Sequence, residues 1–124
     1  TRFITDSNRR LYVNITHPFL WSYHENSSSA LTDAQVAAAP AANHALFITD
    51  IIFSSGAATA INIFFEEGVT TVLGPYYLEA TAGRGLSLHF TTPKKITNAT
   101  ALTVTTSAAI AHGLDVLGYI ATVA

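Results

Sequence analysis

The chain has no cysteine and no methionine, a single tryptophan, and only 11% charged residues among its 124. Without cysteine there is no disulfide framework, no thiolate metal site and no thiol nucleophile, which excludes zinc fingers, redox motifs and cysteine hydrolases together. Charge this far below the roughly 25% of an average soluble protein leaves no basic face able to displace counterions from nucleic acid. The net charge is −2, and cations adjoin only at Arg9-Arg10 and Lys94-Lys95, which read as solvated loop charges. No nucleic-acid partner is expected. No stretch of about 18 apolar residues occurs, and no basic segment leads into an apolar one at the start. Neither a membrane span nor a signal peptide is therefore expected.

What is present is hydrophobicity without bulk charge: 49% of residues are apolar, many of them alanine, and much of the polarity comes from Thr, Ser and Asn. A surface poor in Lys and Glu resembles the buried part of a protein interface, from which both are depleted. Self-association is the expectation that follows. The length suits one domain, since domains commonly run to about 100–150 residues.

Period-two alternation, the mark of a strand with one buried face, recurs along the chain. Ile61, Ile63 and Phe65 alternate with Asn62 and Phe64. Leu86, Leu88 and Phe90 alternate with Ser87 and His89, and Leu102 and Val104 with Thr103 and Thr105. In the last strand Leu114, Val116, Gly118 and Ile120 share one face, Asp115, Leu117 and Tyr119 the other. The run Leu46 to Phe53 is apolar on both faces except at Thr49 and Asp50, which predicts an inner strand. Turn signals at Ser54-Ser55-Gly56, Glu66-Glu67-Gly68, Gly74-Pro75, Gly83-Arg84-Gly85, Thr92-Pro93, Thr97-Asn98 and His112-Gly113 separate these runs at the roughly 8–12-residue spacing of a sandwich or barrel. Helical periodicity is nearly absent; the one candidate, the Ala-rich stretch Leu31 to Ala42, lacks a repeating large apolar face and as a helix would be stopped by Pro40, so it reads as a strand. The prediction is an all-β, antiparallel β-sandwich, jelly-roll or related Greek-key, with an N-terminal arm or strand pair over 1–29 and the sandwich domain over 30–124.

No catalytic constellation stands out. The five histidines, His17, His24, His44, His89 and His112, show no His-x-x-x-His or His-x-His spacing, so no metal site is expected. No Gly-x-Ser-x-Gly elbow occurs, and Ser87 and His89 share a strand face through ordinary alternation. Glu66 and Glu67 are adjacent and point to opposite sides of a strand, which suits a solvated hairpin tip better than a glycosidase acid and base. Gly83-Arg84-Gly85 precedes no helix that could bind an anion. Sequons at Asn14, Asn26 and Asn98 are what a chain rich in Asn, Ser and Thr yields by chance. The chain is read as a non-enzyme that needs no cofactor.

Several stretches carry a resemblance: Ala38-Ala39-Pro40-Ala41-Ala42 before the long apolar strand, Phe65-Glu66-Glu67-Gly68, Gly74-Pro75-Tyr76-Tyr77, the run Ala101 to Ala109, and the closing Val116-Leu117-Gly118-Tyr119. Across residues 30–124 the sequence resembles small β-sandwich virion structural proteins of tailed bacteriophages. The resemblance implies a head decoration or cement protein on the capsid surface, often a trimer, that clamps neighbouring subunits of the major capsid protein. Neck and tail components use similar sandwiches.

The first 29 residues lie outside that resemblance. There Leu11, Val13 and Ile15 alternate with Tyr12 and Asn14, and Phe19, Trp21 and Tyr23 alternate with Leu20 and Ser22. Such an aromatic ladder fits either a core or a contact with a neighbouring subunit. On the decoration reading Leu11, Tyr12, Val13, Phe19 and Trp21 are the expected partner interface. The competing reading is a carbohydrate- or receptor-binding module, in which exposed aromatics such as Trp21, Tyr76 and Tyr77 stack on sugars.

Overall fold

The computed structural model describes residues 19–123. Eight strands follow one another: β1 (Leu20–Ser27), β2 (Ala34–Ala37), β3 (His44–Ser55), β4 (Ile61–Glu67), β5 (Thr70–Leu78), β6 (Gly85–Lys95), β7 (Leu102–Thr106) and β8 (His112–Thr122). They form two four-stranded sheets, ordered β1-β8-β3-β6 and β2-β7-β4-β5. Every pairing is antiparallel. First pairs with last, second with seventh, third with sixth and fourth with fifth, as when one long hairpin bent at the β4–β5 turn is rolled up. That is the jelly roll among the predicted sandwich topologies.

Alternation builds the core between the sheets. Ile61, Ile63 and Phe65 of β4, Leu102 and Val104 of β7, and Leu114 and Val116 of β8 are buried, and Ile96 adds a side chain from the loop after β6. β3 is an inner strand, as its two-sided apolar run predicts. Its buried residues change parity, from Leu46 and Ile48 to Ile51 and Phe53. A parity change needs one extra residue, and the register shifts between Ile48 and Asp50 against both neighbours. Thr49 is that bulge residue, and its hydroxyl donates to the Leu117 carbonyl at 3.1 Å.

Three features depart from the sequence reading. The strand expected over Leu31 to Ala42 shrinks to the four residues of β2. Alanine offers little area to pack, and Asp33 takes a positive φ just before the strand. The turns expected at Gly74-Pro75 and Thr92-Pro93 lie inside β5 and β6. Both strands are sheet edges, where a residue without an N–H costs no ladder bond, and both carry register shifts at these prolines. At Gly74 (φ 89°) a Cβ would sit 2.8 Å from the Ile63 carbonyl, so only glycine fits. Finally, β1 falls within the stretch 1–29 read as an N-terminal arm or strand pair, outside the sandwich, and it pairs with β8 from Leu20↔Tyr119 to Ser27↔His112. Residues 20–27 therefore belong to the sandwich. The serine-rich stretch after them is the crossing from one sheet to the other.

Candidate interaction face

The outer face of the β1-β8-β3-β6 sheet is set by the same alternation that fills the core. Side chains inward from Val116, Ile51 and Phe53 leave Leu117, Asp115, Asp50 and Ile52 outward. The register aligns these with Ser22 and His24 of β1 and with His89 and Ser87 of β6. One row across the sheet runs Ser22, Leu117, Asp50, His89, and the next His24, Asp115, Ile52, Ser87. From β1 to β6 the rows read Ser-Leu-Asp-His and His-Asp-Ile-Ser, each the reverse of the other in residue type, with Ile52 standing where an exact reversal has Leu.

The consequence is a hydrogen-bonded border around an apolar diagonal. His24 Nδ1 lies 2.7 Å from Asp115 Oδ1, and His89 Nδ1 lies 2.8 Å from Asp50 Oδ1. In each pair the carboxylate accepts, so Nδ1 carries the proton. The hydrogen bond from His89, followed by that from Thr49, holds the Asp50 carboxyl below its ordinary pKa. Leu117 and Ile52, diagonal neighbours between the two pairs, are 42% and 47% exposed. At the β1 end Leu20 is 71% and Phe19 58% exposed. A groove of about 690 Å³ crosses this face, bounded by Leu20, Ser22, Leu117, Asp50, His89 and Pro93. One of its walls includes Tyr119, whose ring stacks on Phe47 with centroids 5.0 Å apart.

The predicted interface residues are divided by the structure. Phe19 is exposed at the entry to β1. Trp21 is half-buried and packs on the core; its Nε1–H donates to the Tyr119 carbonyl at 3.1 Å. The indole lies over Gly118, where a Cβ would collide with the ring and with the Phe47 carbonyl. Leu11, Tyr12 and Val13 lie outside the described residues. Sequence reasoning missed Leu20, Ile52 and Leu117 as surface hydrophobics and both His–Asp pairs. The signal for Leu117 was its parity, shared with Asp115 and opposite to Val116. The pairs join residues 91 and 39 positions apart, and alternation says nothing about which strands are neighbours.

Glu67 does more than decorate a hairpin tip: its carboxylate accepts from the Thr97 amide at 2.8 Å and the Thr97 hydroxyl at 2.7 Å, tying β4 to the loop after β6. Among the described residues, no three His, Asp or Glu side chains cluster as a metal site. Comparison with known protein families, with curated proteins and with solved structures found no match to this chain.

Proposed function

We propose that this chain is a virion structural protein that decorates and stabilises a tailed-phage capsid, binding across neighbouring capsid subunits as a homo-oligomer, on the resemblance a trimer. The observation that carries the proposal is the outer face of the β1-β8-β3-β6 sheet. Its centre is apolar, and each carboxylate in its two central rows has an imidazole on the adjacent strand. Covering such a face leaves each of these carboxylates with a hydrogen-bond donor, whereas burying one with no partner costs several kcal/mol, roughly. Jelly rolls include both viral capsid domains and lectins, so the fold alone does not choose between them.

The test is cosedimentation of the purified chain with capsids that lack it, using wild type and Leu117→Asp. The proposal expects wild type to travel with the capsids and Leu117→Asp to remain in solution with its fold intact by circular dichroism. Wild type left in the supernatant at every concentration contradicts it.

A further inference from the structure

A second surface, on the opposite sheet, has the makings of a ligand site independent of the capsid reading. Asn62 on β4 and Tyr77 on β5 are direct cross-strand partners. Their neighbours Ile61, Ile63 and Leu78 are buried in the core, so Asn62 and Tyr77 turn outward. Of the adjacent tyrosines, Tyr76 packs against the core, where burial raises the pKa of its hydroxyl. Tyr77, on an edge strand, is 75% exposed.

The Asn62 backbone is held on both sides: its N–H donates to Ser107 Oγ at 2.8 Å, and its carbonyl accepts from the Ser107 amide at 3.1 Å. Its side-chain Oδ1 is buried without a hydrogen-bond partner. A buried amide oxygen that finds no donor is costly, and such atoms are few in folded proteins. That oxygen has almost no accessible surface, so an incoming group meets the other end of the amide, which donates in this orientation and accepts if the amide is flipped. A hydroxyl does either.

Beside this atom lies a hollow of about 320 Å³ lined by Asn62, Tyr77, Glu79 and Ser107, with Leu78 behind them. That is the small end of the range for ligand pockets, roughly 300–1,000 Å³. The Glu79 carboxylate accepts from Arg84 Nη2 at 3.1 Å, which matches its charge and leaves lone pairs for further donors. No cation lines the hollow, so nothing there favours an anion.

We propose that the hollow beside Tyr77 is a subsite for one ring of a neutral saccharide. The apolar C–H face of the sugar packs on the exposed Tyr77 ring. Its hydroxyls meet the open end of the Asn62 amide and reach the Glu79 carboxylate. Aromatic ring, amide and carboxylate are three groups that a polyol with one apolar face can use together.

The experiment begins with the full chain on a printed array of neutral glycans ending in glucose, galactose, mannose or N-acetylglucosamine, beside sialylated counterparts. The strongest neutral binder is then followed by saturation-transfer NMR against wild type, Tyr77→Ser, Asn62→Ala and, as a control, Val69→Ser at the exposed β4–β5 tip. Expected are binding to neutral glycans, affinity lower by roughly tenfold in Tyr77→Ser, a smaller loss in Asn62→Ala, and no change in Val69→Ser. Tyr77 is exposed, so Tyr77→Ser keeps the fold, which an amide NMR spectrum checks. An array without neutral binders, a preference for sialylated glycans, or wild-type affinity in folded Tyr77→Ser overturns the proposal.

Discussion

The Asp50 carboxylate and the His89 imidazole lie 2.8 Å apart across β3 and β6, and the bulge at Thr49 is what turns Asp50 toward that partner. Without the extra residue, Asp50 would share the buried parity of Leu46 and Ile48. The bulge thus sets both the core and the face.

The pair has a pH signature. Because the folded-state pKa of Asp50 lies below its ordinary value, its contribution is present above the unfolded pKa of about 3.9 and disappears as pH falls through the folded value. Asp50 is 31% and His89 74% exposed in their side chains, so solvent screening keeps the effect to at most about 1 kcal/mol. Asp50→Asn should be slightly less stable than wild type at pH 6, and the gap should close in the acid limb below about pH 4. Chemical denaturation at stepped pH values checks this.

Glu66 has the opposite sign. Burial, then its contact with Asp33, raises its carboxyl pKa, so folding favours the protonated form. Its stabilising effect is present at low pH and lost as pH rises through the folded value. Glu66→Gln keeps an acceptor for the Thr105 hydroxyl, which lies 3.1 Å from Glu66 Oε1, and removes the repulsion. Its melting temperature should exceed wild type at pH 7 and converge with it on acidification.

Trp21 tests where the sandwich begins. With its ring over Gly118 and its N–H on the Tyr119 carbonyl, Trp21→Ala should lose about 2–4 kcal/mol of folding stability. Gly118→Ala should lose about 1–3 kcal/mol by overpacking. The two changes share the ring contact, though not the collision with the Phe47 carbonyl, so the double variant should cost somewhat less than their sum. Additive losses in urea denaturation would contradict this packing.

Glu67→Ala removes the acceptor of two Thr97 hydrogen bonds and should cost about 1–2 kcal/mol. Amide exchange at Thr97 should speed up more than exchange in the core strands. Equal change everywhere would mean that Glu67 does not tie this loop.

These relationships show what the sequence could and could not convey. The inner position of β3, the alternation of β6, β7 and β8 and the all-β class were legible, because burial imposes a period of two on side chains wherever one face meets the core. Pro75 and Pro93 misled as turn signals because proline is equally at home on a sheet edge, and edge status depends on strand order. β1 was read as part of an arm or strand pair outside the sandwich because its pairing with β8 joins residues nearly a hundred positions apart. His24–Asp115, His89–Asp50 and Asn62–Tyr77 are all products of register, which no local pattern records. Trp21, by contrast, stood out from the start, but its ladder pattern fitted core and contact alike.

The most direct test of the account is the native mass of the full chain by light scattering, for wild type and Leu117→Asp at matched concentrations. If the outer face of the β1-β8-β3-β6 sheet is the association surface, wild type has the mass of a homo-oligomer, a trimer on the resemblance, and Leu117→Asp that of a folded monomer. A wild type that stays monomeric throughout, or a Leu117→Asp variant with the same oligomeric mass, contradicts it.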